Sequence, residues 1–258
     1  MMKGLYRLIN IEFAKWLRLI MILCAATMIT PLIMVQDQLK NYSEYTVNER
    51  YEDLYASSGS VILFLIFLVI VCAFFLKTVY ADYWGGKSIY TYLTLPVKRE
   101  AFYFSKLIVF AICLLMLLAA QLISIRIGYA LAAAKYGSYG EGQFVMHNGF
   151  FLAMIRSEFF RLLLPLSLSR LLSSLAVFTT IATGFYYGAL CERSRKYFGF
   201  AAIVAALWIM IAVIGYRMNE QIHYSDLSSL WMSSSALFAL SGFFIWHSLH
   251  ILRRGAVA

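Results

Sequence analysis

Few residues of this chain have types and spacings that could do chemistry. His247 and His250 stand three apart, so on a helix they share a face and could together hold a metal ion, but no carboxylate or third ligand lies near them in sequence. Gly85-Gly86-Lys87-Ser88 ends like a phosphate-cradling loop, yet position 81 is Ala where the first glycine of G-x-x-x-x-G-K-[ST] would stand. The four cysteines, Cys24, Cys72, Cys113 and Cys191, form neither a CxxC nor a Cys/His cluster and read as small packing residues. Arg126 sits past the middle of the apolar stretch 107–134, where an ionisable group is costly. It could line a path and attract an anionic group, with Gln121 as a second polar member, or it could snorkel to the outer surface. No catalytic residue and no metal site is assigned.

The elements that must position these residues follow from composition. Of 258 residues, 62% are apolar and only 14% charged, and mean hydropathy is +0.75. Soluble domains carry about 25% charged residues, so a water-soluble globule is excluded, and disorder more firmly still. A helix crossing hydrocarbon needs about 20 mostly apolar residues. Six segments qualify, over residues 17–36, 57–79, 103–131, 168–190, 197–216 and 227–252. None of the intervening segments alternates apolar and polar residues, which disfavours a β-barrel. The expectation is an all-α integral membrane protein of six transmembrane helices, with residues 1–258 forming one domain. The first span follows a basic stretch, as a signal peptide does, but no A-x-A-like site follows it, so it reads as a retained anchor.

The net charge of +9 could suggest nucleic acid. Placed against the spans, it reads as an orientation signal. With both termini cytoplasmic, 14 of the 22 Lys and Arg fall on the inner side and 8 on the outer. Trp16, Trp84, Tyr197, Tyr216 and Trp231 fall near span ends, as an interfacial belt would. The third loop holds a glycine-rich stretch, 135–149, and then an apolar stretch, 150–164, carrying Arg156, Ser157, Glu158 and Arg161. Ser157, Glu158 and Arg161 share a helical face, so this stretch is expected as a helix lying in the interface or dipping into it, ended by Pro165. In the fourth span, small residues recur, and Gly184-x-x-x-Gly188 marks a close helix approach, either within the subunit or between subunits.

The richest segment is the basic, aromatic loop between spans two and three. Ile89, Tyr92 and Leu93 recur at helical spacing, Gly85 and Gly86 can hinge the chain before them, and Pro96 ends the short helix after them. Such a loop could rest on anionic lipid. It also resembles the permease subunits of ABC-2 type transporters. The resemblance rests on Asp82, Gly86 and Ser88, then Leu93-Thr94-Leu95-Pro96-Val97-Lys98-Arg99, then Lys106 opening the third span. The six-span layout, the total length and Tyr186-Tyr187-Gly188-Ala189-Leu190 ahead of a basic turn agree with it. Asp82 stands where Glu is commoner, and Lys87-Ser88 where Gly-Thr is usual.

The resemblance implies a subunit that is not itself an enzyme. Segment 82–99 would be a cytoplasmic coupling helix docking a separate ABC ATPase, which binds the ATP and Mg; no cofactor is expected in this chain. Asp82, Lys87, Ile89, Tyr92, Leu93, Pro96, Lys98 and Arg99 would form the contact, apolar residues filling a groove and charges setting register. A second permease subunit, the same or homologous, would face this one in a bacterial cell membrane, and the cargo would be an amphiphile such as an antimicrobial peptide, a lipid-linked molecule or a drug. Two other readings stay open. One is an intramembrane enzyme acting on lipid or peptide: Phe243-x-x-x-His247 resembles a string of CAAX-type proteases, though their Glu-Glu-x-x-x-Arg motif is absent. The other is a non-transporting membrane sensor that docks a soluble ATPase.

Overall fold

Where no water can reach it, a backbone must satisfy its own N–H and C=O groups, and helices do so within one segment. A computed structural model describes residues 2–40, 50–81, 99–137, 149–195, 197–219 and 227–253. Among the described residues there is no strand. The helices are α1 (Met2–Lys40), α2 (Tyr51–Ser57), α3 (Ser60–Tyr80), α4 (Arg99–Gly137), α5 (Phe150–Arg156), α6 (Glu158–Leu163), α7 (Leu168–Arg193), α8 (Phe198–Asn219) and α9 (Leu227–Arg253). Six of them, α1, α3, α4, α7, α8 and α9, are long and apolar enough to cross a membrane.

Two of the six outrun the apolar segments that mark them. α1 and α4 have 39 residues each, about 58 Å at 1.5 Å per residue, against a hydrocarbon thickness of about 30 Å. The charges that bound each apolar run limit the membrane-compatible part but not the helix. Pro31 does not end α1 either. The helix continues because Val35 and Leu39, 0% and 2% exposed, bury their side chains beyond it. Ser157 splits the third-loop stretch into α5 and α6 instead of one helix, its hydroxyl accepting from Phe160 N at 3.3 Å. The charges there do not share one wet face: Glu158 is exposed while Arg161 is buried. Ser167 caps α7 in the same way, just after Pro165. Gly59, at φ +78°, takes the left-handed turn that joins α2 to α3 without a Cβ penalty.

The helices fall into two compact units, Met1–Trp16 with Val71–Ile112 and Pro165–Ala258, and Leu17–Ile70 with Cys113–Leu164. In the first, Trp16 is 2% exposed, so it is a core residue and not part of an interfacial belt. It packs edge-on to Phe74 at 4.8 Å, and Phe75 stacks on Phe110 at 4.0 Å. In the same unit α7 packs on α8 and α9 through Ala176, Val213, Leu230 and Leu237, and through Tyr187, Cys191, Ala206 and Phe244. The second unit has an aromatic core: Tyr51, Tyr55 and Phe160 pack with Val35, Leu39, Ile125 and Met154.

Candidate functional site

Asp82, Lys87, Ile89, Tyr92, Leu93, Pro96 and Lys98 lie outside the described residues. Arg99 opens α4 directly after them. What is on view is how the start of α4 is held. Glu100 Oε1 accepts from Arg253 on α9, at 2.7 Å from Nη2 and 2.9 Å from Nε. Two turns on, Lys106 is buried with its ammonium 3.4 Å from Glu12 Oε2 on α1 and 5.1 Å from the centre of its own neighbour's ring, Phe102. Glu12 also accepts from Lys15 at 2.9 Å. The side chains of Glu12 and Lys106 are 3% and 2% exposed, so the pair is desolvated on both sides, whereas Lys15 is 39% exposed. Between these two anchors Tyr103, wholly buried, meets Tyr186 of α7 edge-on at 4.8 Å. The first two turns of α4 are thus pinned to α1, α7 and α9. Sequence reading found Lys106 through a motif but missed Glu12. The signal was there: Glu12 is the one acidic residue in the first 36.

Gln121 and Arg126, both on α4, face different surroundings in the second unit. Gln121 is wholly buried, and its amide Nε2 donates to Tyr55 Oη at 2.5 Å while its Oε1 makes no hydrogen bond among the described residues. Arg126 is exposed, its guanidinium carbon 4.9 Å from the Phe150 ring centre and 5.8 Å from that of Tyr129. Tyr51 Oη donates to Ile125 O at 2.8 Å, so both tyrosines of α2 seat it on α4. Burial pushes both phenols above their ordinary range; for Tyr51 the neighbouring Tyr55 adds to this, while Gln121 and Ser60 oppose it for Tyr55. Glu52, next to Tyr51, keeps both carboxyl oxygens buried, with no hydrogen bond among the described residues.

Gly184 and Gly188 lie on α7 where it meets α9 and α8. A Cβ on Gly184 would touch Phe244 at 3.7 Å, and one on Gly188 would touch Ile203 at 3.4 Å. Both line a cavity of about 310 Å³. The closest approach is elsewhere: a Cβ on Gly199 would run into Cys191 Sγ and lie 2.7 Å from Tyr187 Oη. His247 Nδ1 shares a 2.8 Å hydrogen bond with Tyr187 Oη, and His250 stacks on Trp246 at 5.8 Å. Among the described residues no three His, Cys, Asp or Glu side chains are grouped to hold a metal ion.

Six long apolar helices define a multi-pass membrane protein. Residues 8–190 match the family model described as ABC-2 family transporter protein, and the chain belongs to that family. It is the membrane component of a transporter, a permease, and permeases of this kind generally work with an ATPase subunit. No curated protein and no solved structure matches the chain.

Proposed function

We propose that this chain is the membrane-spanning half of an ATP-driven exporter in a bacterial cell membrane, with both termini cytoplasmic, moving an amphiphilic substrate. The ATPase is a separate subunit, and segment 82–99 is where it docks. A second permease subunit faces this one across the path. The observation that carries the reading is the family match over 8–190, which takes in the basic segment and the helix it feeds. The pinned start of α4 supports it. A push on 82–99 would reach α1, α7 and α9 at once through Lys106–Glu12, Tyr103–Tyr186 and Glu100–Arg253, which is how a soluble motor's stroke becomes a rigid-body shift of helices.

Purification of the tagged chain from its native membrane tests this. A separate ATPase polypeptide should come with it, and Leu93→Asp, Pro96→Gly or Arg99→Glu should release that polypeptide while the permease stays in the membrane. Retention of the ATPase by all three variants would defeat the coupling assignment.

A further inference from the structure

The cavity of about 310 Å³ lies among α3, α7, α8 and α9. That volume is at the low end of small-molecule sites, which run from about 300 to 1,000 Å³, and about twice the 150 Å³ that holds a benzene ring. It suits an alkyl chain or a small ring system and is too small for a folded peptide. Its walls are hydrocarbon, including Leu76, Phe185, Ile203 and Met210. Thr180 lines it too, but its hydroxyl faces Ala176 O and Leu237 O, at 2.7 and 3.3 Å.

The polar end is made by Tyr80 and Glu192, the last residue of α3 and the last but one of α7. Tyr80 donates its phenol proton to Glu192 Oε2. Among the described residues Glu192 is the one charged side chain that lines the cavity. Two helix C-termini add negative dipole ends at the same place. Lys77 and Arg193 stand in these last turns but do not line the cavity. The mouth therefore offers acceptors. It matches a head group that donates hydrogen bonds and carries positive charge, and it repels a carboxylate, sulfate or phosphate.

We propose that this cavity binds a lipophilic amine, with the apolar tail between α3, α7 and α8 and the ammonium on Glu192 and Tyr80. This names a substrate class for the permease and rests on that reading. The test uses the full chain, without any ATPase, in phosphatidylcholine nanodiscs. The probe is a dodecylamine carrying a diazirine on its tail, photolysed and mapped by mass spectrometry. Label is expected on α3, α7 and α8 and should be displaced by dodecylamine but not by dodecanol or dodecyl sulfate. Glu192→Gln, an isosteric change at an exposed residue, should lower capture about tenfold, the scale of one charge-assisted contact of about 1.4 kcal/mol. Leu207→Trp fills the cavity from its exposed side and should abolish capture. Equal displacement by dodecanol, or capture that neither variant changes, would overturn the proposal. So would saturation of the site by a diazirine phosphatidylethanolamine that dodecylamine cannot displace, which would make it a resident lipid site. Failure of the unaltered chain to bring an ATPase with it, or retention of the ATPase by all three coupling-segment variants, would instead strike the coupling assignment and leave this binding intact.

Discussion

The buried pair Lys106–Glu12 makes a graded prediction. In protein interiors, removing one member of a buried ion pair costs about 3–5 kcal/mol, because the other charge stays desolvated. Three features of this site set the order of effects. The Lys106 contact is 3.4 Å long, Glu12 keeps a second partner in Lys15 at 2.9 Å, and only Lys15 reaches solvent. Glu12→Gln takes the carboxylate from both lysines and should cost about 3 kcal/mol. Lys106→Met leaves Glu12 with Lys15 and keeps the hydrocarbon stem, so about 1–2 kcal/mol is expected. Lys15→Met removes a half-wet partner and should cost less than about 1 kcal/mol. At about 2–4 °C per kcal/mol for a chain of this size, Glu12→Gln should lower the melting temperature by about 10 °C. Fluorescence-detected size exclusion of detergent-solubilised protein after heating reads this. The double variant Glu12→Leu with Lys106→Met should recover most of the loss, because neither charge of the pair is then left buried. If Lys15→Met is as harmful as Glu12→Gln, or if the double variant shows the plain sum of the single losses, the desolvated-pair argument is wrong.

Other outcomes follow from local geometry. Gly199→Ala drives a methyl into Cys191 Sγ, so a loss of about 2–3 kcal/mol is expected, partly restored by adding Cys191→Ala; equal melting of the single and double variants would refute the clash. Gly128→Ala should drive Tyr51 Oη, 2.7 Å from the new Cβ, off Ile125 O, and Tyr51→Phe in the same chain should then cost nothing further. Tyr55→Phe should cost about 1–3 kcal/mol, because it leaves the wholly buried Gln121 amide without its acceptor, and the same thermal assay reads it. The native state holds the Tyr51 and Tyr55 protons more tightly than the unfolded chain, whose phenols titrate near pH 10. Their contribution to stability is therefore complete below about pH 10 and is lost as pH climbs through the native values. Ultraviolet titration should show both phenols protonated after exposed tyrosines have ionised, until the protein unfolds.

What was legible in the sequence is what hydrocarbon enforces. Long uncharged runs such as 61–76 cannot be anything but helix in a membrane, so the six spans and the all-α class could be read from composition and run length alone. The same reasoning failed where packing, not solvent, decides. A charge ends an apolar run, yet α1 starts before Lys15 and α4 passes straight through Arg126, because a helix needs only its own backbone bonds to continue. Trp16 looks interfacial by position, but partners far along the chain, Phe74, Phe75 and Phe110, bury it. Glu12 sits inside a basic stretch, and a count of charges cannot see that its carboxylate turns inward to meet Lys106, 94 residues away. The misses at Trp16 and Glu12 share a cause: each depends on a contact between helices distant in sequence, and a single chain of letters holds no register between its helices. The family match strengthens this point, since it ends at residue 190, two residues short of Glu192, whose carboxylate completes the cavity mouth. If that carboxylate selects the cargo, selection is set outside the matched segment, and chains sharing residues 8–190 of this pattern need not share a substrate.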